Sequence, residues 1–442
     1  MRFGTDGVRG VANTELTAAF ALRLGRAAAR VLSARMEVPT AVVGGDSRLS
    51  TPMLEAAFVA GLAAEGVEVF RLGVTPTPAV AFEAARTGAM GAVISASHNP
   101  YHDNGIKLFA PGGAKLPDDV ERLIEAELAV VTDQPVDVAE PGGVHGRTDP
   151  SAYVEHLLGV LDGRSLAGLR VVVDAANGAA SYVAASVFAG AGAQVIAINA
   201  SPDGRNINAG CGATSPGALA ALVPAERAHA GLALDGDADR LIAVDEAGSV
   251  VDGDHILAIC ATDLRDRGLL VDDTVVVTVM TNLGFRLAMQ ERGIRVVETA
   301  VGDRYVLEAL TAHGFSLGGE QSGHVILPSH ATTGDGLLTG LVLLDVLQRS
   351  GKQLSQLAAE AMTQLPQVLV NVKVPSGSVA DAAAAIADHV VAAEHALGAT
   401  GRVLVRPSGT EPLVRVMVEA PTAAEARSVA DRLADAVRAV AG

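Results

Sequence analysis

A multidomain α/β protein with a small α+β end is predicted, on three observations. Short apolar strands alternate with capped helices through most of the chain, the pattern of a parallel α/β sheet. The length of 442 residues exceeds the roughly 250–300 residues at which single cores stop growing. Beyond Pro366 the alternation of strand and helix is lost, as an α+β domain requires.

The elements follow in order. Leu16, Phe20, Leu24, Ala28 and Val31 fall at helical spacing behind the cap candidates Thr14 and Thr17. Ala41 to Asp46 reads as a buried strand, Thr51-Pro52 as a capped helix start with Gly66 beyond its end, and Val67 to Leu72 as a strand. Thr77-Pro78 repeats the capping device before Ala79 to Ala85. The strand Met90 to Ile94 then runs into Ser95-Ala96-Ser97-His98-Asn99-Pro100, where the chain must turn. Gln134 to Thr148 reads as a linker. Leu169 to Asp174, Val195 to Ile198 and Leu232 to Leu234 form a second set of strands, and Thr274 to Val279 begins a third. The valine runs at 42–43, 171–173 and 275–277 suggest three related units. In the last domain Val368 to Val374, Val403 to Val405 and Leu413 to Val418 read as strands, with helices over Ala380 to Leu397 and Ala423 to Val440.

Composition removes several classes. With 49% hydrophobic and 19% charged residues the chain is globular. A net charge of −17 opposes nonspecific attraction to nucleic acid or anionic lipid, so an anionic ligand must be held by local arginines. Aromatics at 3%, without Trp, leave no base-stacking platform. Cys211 and Cys260 form no metal or redox pair, and two thiols fit a reducing compartment. The polar, Gly-rich opening carries no secretory pattern, and the run Leu337 to Leu347 is shorter than the roughly 20 residues a membrane span needs. A cytoplasmic protein without membrane or nucleic-acid partners is expected.

Five stretches carry chemistry. Ser97 lies on a loop at a strand end; on these residues alone a plain turn is the simpler reading. Asp235-Gly236-Asp237-Ala238-Asp239-Arg240 sets three carboxylates at alternate positions, able to converge on one hard cation, and oxygen donors favour Mg²⁺ over zinc. An EF-hand is rejected because Arg240 stands where the sharp turn needs Gly and the flanks read as strands. A solvated acidic turn is disfavoured, since three uncompensated carboxylates repel one another. Arg406-Pro407-Ser408-Gly409-Thr410, with Arg415 further on, fits either a phosphate cradle or an ordinary hairpin. Gly318-Gly319-Glu320-Gln321-Ser322-Gly323-His324 offers sugar-hydroxyl partners on a Gly-bracketed loop, which a surface turn also resembles. Lys107, one of only four lysines, suits proton transfer or pairing with a phosphoserine. No P-loop, GxSxG elbow or GxGxxG after a strand is present, so P-loop kinase, acyl-transfer and nicotinamide chemistry lack support.

Taken with Phe3-Gly4-Thr5-Asp6-Gly7-Val8-Arg9-Gly10, these motifs in this order resemble the α-D-phosphohexomutases from end to end. The resemblance implies four domains around a central cleft, the first three α/β with related mixed sheets and the fourth a small α+β domain, placed at 1–145, 146–252, 253–366 and 367–442. It implies that Ser97 bears the transferable phosphoryl group and that Asp235, Asp237 and Asp239 hold Mg²⁺ beside it. Arg9, Lys107, Arg240 and His324 match positions around the transferring group, with Lys107 or His324 moving the sugar-hydroxyl proton. Glu320 and Ser322 match sugar contacts; Arg406, Ser408, Gly409, Thr410 and Arg415 match the site of the non-reacting phosphate. Gln321, Gly302-Asp303-Arg304 and Asn206-Ile207-Asn208 resemble the branch that acts on glucosamine phosphates, with Gly302 and Asp303 in the substrate site. The implied reaction is a ping-pong shuttle between glucosamine 6-phosphate and glucosamine 1-phosphate through glucosamine 1,6-bisphosphate, feeding UDP-N-acetylglucosamine and cell-wall precursors. A kinase that first phosphorylates Ser97 and a monomeric or homodimeric state are expected. The alternatives are a phosphomannomutase/phosphoglucomutase of the same family, a metal-dependent phosphatase that also forms phosphoserine, and a noncatalytic sugar-phosphate sensor.

Overall fold

Four sheets organise the chain, and the same device ends each of the first three. The computed structural model describes residues 3–4, 7–131, 140–146, 149–375, 379–408 and 412–441. The chain divides into two compact units, Met1–Met280 with Ile294–Ala361, and Thr281–Gly293 with Met362–Gly442.

In the first unit, strands β1 (Val8–Val11), β2 (Thr40–Gly45), β3 (Glu68–Val74), β4 (Met90–Ile94), β5 (Asp103–Phe109) and β6 (Val144–Gly146) form one sheet in the order β1-β5-β4-β2-β3-β6. β2 is parallel to β3 and β4, whereas β5 runs antiparallel to β4. The described end of the expected linker is β6, paired in parallel with β3. The second sheet holds β7 (Arg170–Asp174), β8 (Gln194–Ile198), β9 (Ala230–Leu234), β10 (Leu241–Asp245) and β11 (Val250–Val251), ordered β11-β10-β9-β7-β8. Here β7 is parallel to β8 and β9, and β10 returns antiparallel to β9. The third sheet, of β12 (Thr274–Thr278), β13 (Arg295–Thr299), β14 (Gly318–Gly319) and β15 (Val325–Ile326), repeats the plan. β12 is parallel to β13 and β14, and β15 is antiparallel to β14. The three valine runs are thus the equivalent central strands β2, β7 and β12.

These are the mixed sheets that the resemblance implies; strand–helix alternation accounts for their parallel strands, and a short antiparallel hairpin follows the last parallel strand each time. Those hairpin loops carry Ser97, the Asp235 to Arg240 run and the Glu320 to His324 run. Strands buried at every residue, such as Met90–Ile94 and Ala230–Leu234, hold the loop ends rigidly.

Two expected caps have other employment. Thr17 does cap the helix Ala18–Ser33, accepting from Phe20 N. The helices Thr51–Ala64 and Thr77–Thr87 begin instead behind Ser50 and Pro76, neither with a side-chain cap bond. Thr51 Oγ1 donates to Asp46 Oδ1 (3.0 Å) and Thr77 Oγ1 to Asp237 Oδ2 (2.7 Å). Pro at the second helical position removes an amide that needs no partner there, which frees both hydroxyls for buried carboxylates.

Helix Ser151–Gly159 is tied to helix Gly336–Ser350 by Tyr153, whose hydroxyl donates to Asp335 Oδ2 (2.8 Å). Burial pushes the Asp335 carboxyl up from 3.8 to about 6. Between roughly pH 4 and 6 the unfolded chain has lost a proton that the fold still holds, so stability falls as pH rises through that window. Thermal melts of Asp335→Asn, which keeps a capping oxygen but does not titrate, should show a flatter Tm-versus-pH profile there than the parent.

In the second unit, β16 (Gln367–Lys373), β17 (Arg402–Pro407) and β18 (Leu413–Glu419) form an antiparallel sheet ordered β16-β18-β17. Helix Ala423–Ala441 buries Val429, Leu433 and Val437 in its core. The predicted helix over 380–397 is two, Val379–Ala385 and Ala387–Leu397, broken at Ile386. Helix Leu283–Glu291 belongs to this unit, since its cap Asn282 donates to Leu365 O and Glu419 Oε1 (3.0 and 3.3 Å). Among the described residues no helix is long and apolar enough to cross a membrane.

Candidate active site

Ser97 is buried, with φ of +51° in the left-handed region that non-glycine residues seldom adopt. Its amide donates to Ser95 Oγ (2.9 Å), and Ser95 Oγ donates to Asp46 Oδ2 (2.6 Å). Its hydroxyl donates to Asp235 Oδ2 (2.6 Å) and lies 3.2 Å from His98 Nδ1. Burial, then the charges of Arg240 and Arg9, hold the His98 ring below its ordinary pKa. A neutral neighbour of that kind packs beside the hydroxyl without adding charge.

The Asp235 loop approaches from the second sheet. Asp235, Asp237 and Asp239 are all buried, each offering an oxygen within 4.8 Å of the others. Gly236 is required here, because a Cβ would meet Ser97 O at 2.4 Å. Ala238 turns the loop with φ of +60°. Burial, then repulsion from Asp239 and Asp237, pushes Asp235 well above its usual range. Burial also opposes ionisation of Asp239, yet Lys107, His324 and Arg240 hold it well below that range. Asp237 Oδ1 and Asp239 Oδ1 are buried with no hydrogen-bond partner among the described residues. Orphaned carboxylate oxygens, converging and supplied by hard donors only, fit a divalent cation of the oxygen-loving class. Such a cation would be held by Asp235, Asp237 and Asp239, with Ser97 Oγ alongside. In differential scanning fluorimetry the divalent ion should raise Tm by several degrees, and Asp237→Asn should abolish most of that increment.

Cations ring the carboxylates. Lys107, on β5 and 4% exposed, places Nζ 3.4 Å from Asp239 Oδ2 and 3.6 Å from Asp237 Oδ2. Arg240 Nε lies 3.8 Å from Asp239 Oδ1, and the Arg240 amide donates to Asp235 Oδ1 (3.3 Å). Arg9, on β1, pairs across the ladder with Gly105, two residues before Lys107. His324 sits on the third loop with Nδ1 3.6 Å from Asp239 Oδ2 and Nε2 3.5 Å from Asp303 Oδ2. Burial works against the charged ring, but Asp239 and Asp303 raise its pKa overall. The Gly334 amide donates to His324 Nε2 (3.1 Å), so the neutral ring carries its proton on Nδ1. Gly334 must be glycine, as a Cβ would stand 2.6 Å from that ring.

The candidates for substrate contacts lie beside these groups. Glu320 Oε1 accepts from Gly302 N (3.1 Å), and Ser322 Oγ donates to Glu320 Oε2 (3.4 Å). Asp303 is ion-paired with Lys115, and Arg304 with Asp118 and Glu121. These pairs join the third sheet's loops to the first. The structure therefore brings Ser97, Lys107, Asp235, Asp237, Asp239, Arg240, His324, Asp303, Glu320, Ser322 and Gly302 into one connected set, with Arg9 on the adjoining strand.

The remaining candidates belong to the other unit. Arg406 and Arg415 are directly opposed on β17 and β18. Burial, then the neighbouring Arg415 charge, lowers the Arg406 pKa. Like charges directly opposed across a ladder repel one another. Ser408 donates its amide to Leu413 O (2.9 Å). Gly409 and Thr410 lie outside the described residues.

Four supports escape sequence reasoning. Asp46 and Arg48 form a buried pair behind the Ser97 loop, Thr77 holds Asp237, and Asn208 reaches Ser97 O. The Asp46 signal was available, since a carboxylate just past the end of a buried strand at Gly45 stands level with Ser95 at the start of the Ser97 loop.

Models of the phosphoglucomutase/phosphomannomutase family match the chain in four segments. Alpha/beta/alpha domain I covers residues 1–134, domain II 151–248, domain III 252–365 and the C-terminal domain 369–436. A phosphoglucosamine mutase of Kineococcus radiotolerans is 56% identical over 99% of this chain and 98% of its own. One of Rhodococcus jostii is 56% identical over 99% of both. The crystal structure of a phosphoglucomutase/phosphomannomutase family protein from Burkholderia thailandensis superposes with a TM-score of 0.83 at 26% identity, covering 99% of this chain and 98% of that one.

Proposed function

The chain belongs to the phosphoglucomutase/phosphomannomutase family, and we infer that it interconverts glucosamine 6-phosphate and glucosamine 1-phosphate. It is an intramolecular phosphotransferase of the isomerase class. The substrate is carried by the full-length likeness to proteins named phosphoglucosamine mutase. The reaction type is supported by the hydrogen bond from Ser97 Oγ to a carboxylate of the Asp235, Asp237, Asp239 set.

In this reading phospho-Ser97 gives its phosphoryl group to the free hydroxyl of the sugar phosphate. Glucosamine 1,6-bisphosphate results; it turns round and returns its other phosphoryl group to Ser97. Asp235, Asp237 and Asp239 would hold Mg²⁺, which would supply charge neutralisation for the transferring group. Arg9 and Arg240 clamp the phosphoryl oxygens. Glu320 and Ser322, with Gly302 and Asp303, hold the sugar, and Arg406, Ser408, Gly409, Thr410 and Arg415 hold the phosphate that is not reacting. His324 Nε2 is engaged by Gly334, so Lys107 Nζ is assigned the hydroxyl proton. The first phosphoryl group on Ser97 comes from an activating kinase or from the bisphosphate itself.

Two outcomes test this reading. The amino-sugar phosphate should show kcat/KM at least about 10-fold above glucose and mannose phosphates, a discrimination of the size one polar contact gives. Equal or reversed values would move the assignment to the phosphomannomutase/phosphoglucomutase branch. Arg406→Ala should raise KM for glucosamine 6-phosphate by roughly 10- to 100-fold, the cost of one charge-assisted contact, with a smaller change in kcat. An unchanged KM would remove the C-terminal loop from the binding site.

A further inference from the structure

The carbonyls of the Ser97 loop are gripped from two sheets at once. From the first sheet, Arg48 Nη2 donates to Ser97 O and to Asn99 O (both 2.8 Å), and Nη1 donates to Pro100 O. That guanidinium is fixed by Asp46, whose Oδ2 accepts from Nε at 2.8 Å, with both side chains at 0% exposure. From the second sheet, Asn208 Nδ2 donates to the same Ser97 O (2.9 Å) and Asn99 O (3.1 Å). Asn208 is itself held in a left-handed turn (φ +56°) by its amide bond to Ala176 O (2.9 Å). The metal loop passes the same point, where a Cβ on Gly236 would lie 2.8 Å from Asn208 Nδ2 and 2.4 Å from Ser97 O.

A residue held at positive φ keeps that conformation only where its surroundings over-determine it. Four hydrogen bonds on two carbonyls do so for Ser97. If the Ser97–Asn99 backbone relaxed toward ordinary φ, both carbonyls would swing away and the hydroxyl would leave Asp235. We propose that Asn208 and Arg48 are positioning residues for phosphoryl transfer, acting through the Ser97 and Asn99 carbonyls to hold the phosphoryl-bearing oxygen in line with the acceptor hydroxyl. The inference rests on the mutase reading above. It assigns to Asn208 a role distinct from sugar recognition, since its donor atom is spent on the loop.

In-line transfer is steep in geometry, and a displacement of about 1 Å can cost about 100-fold. Asn208→Ala and the isosteric Asn208→Asp, both lacking the Nδ2 donor, should therefore lower kcat by roughly 10- to 100-fold. KM for glucosamine 6-phosphate should stay within about twofold, because the sugar and distal-phosphate contacts are untouched. Arg48→Lys keeps a cation opposite Asp46 but cannot span three carbonyls, and should show the same split. A second readout is the fate of the phosphorylated full-length protein, followed by intact mass and ³¹P spectra. The misaligned phosphoserine should lose a larger share of its group to water, giving free Ser97 and inorganic phosphate, than the parent does. Variants with kcat within about twofold of the parent, or with raised KM and unchanged kcat, would overturn the positioning role. Absence of transfer to sugar in the parent would overturn the mutase reading instead. Hydrolysis rates would then judge the inference alone, upheld if they rise in both Asn208 variants and overturned if they do not.

Discussion

Ser97→Ala should bring sustained turnover of glucosamine 6-phosphate to less than about one-thousandth of the parent, the scale on which enzymes lose rate when a covalent carrier is removed. The structure makes this loss chemical rather than structural. Ser97 Oγ makes its donated bond to Asp235, whereas the loop is held through its backbone by Arg48, Asn208 and Ser95. The alanine protein should accordingly melt within a few degrees of the parent and still bind the sugar phosphate, which isothermal calorimetry can read. Turnover at parental levels would show that Ser97 is a bystander.

The second large effect falls on the carboxylates. Asp237→Asn and Asp239→Asn should each lower kcat by about 100- to 1,000-fold at fixed metal, comparable to removing one preorganised charge contact from a transition state. They should also raise the metal concentration for half-maximal rate. The two differ in a way the geometry dictates. Asp239 stands against Lys107, His324 and Arg240, so neutralising it leaves buried cations short of a partner and should also lower Tm. Asp237 accepts from Thr77 and its one ion pair within 4 Å among the described residues is with Lys107, so its amide variant should fold almost as the parent does. In metal-free buffer Asp235→Asn should lose little stability or gain some, because that carboxyl is disfavoured as an anion beside its two neighbours. Normal metal-dependent rates in all three would refute the metal assignment.

Much of this arrangement was readable in the chain because it is local. Alternate carboxylates from Asp235 to Asp239 announce a cation site by charge density alone, and small Gly236 and Ala238 announce close approach. The three central strands were visible as valine runs. What could not be read is where loops from different sheets meet. Thr51 and Thr77 each precede Pro and look like helix caps; only folding shows that their hydroxyls serve Asp46 and Asp237. Asn208 lies 111 residues from Ser97, and no spacing rule predicts that contact. The antiparallel return of β5, β10 and β15 was hidden too, since a short strand after a turn has the same composition whichever way it pairs. The break at Ile386 sits in an Ala-rich run with no Gly or Pro to mark it.

The central claim, that Ser97 carries a phosphoryl group to and from glucosamine phosphate, is tested most directly by single-turnover transfer. Protein phosphorylated on Ser97 with ³²P would be mixed with unlabelled glucosamine 6-phosphate, quenched, and separated into protein, bisphosphate, monophosphate and inorganic phosphate. Label should leave the protein and enter glucosamine 1,6-bisphosphate and then glucosamine 1-phosphate, with little inorganic phosphate. Label that stays on Ser97, or that leaves only as inorganic phosphate, would contradict the account.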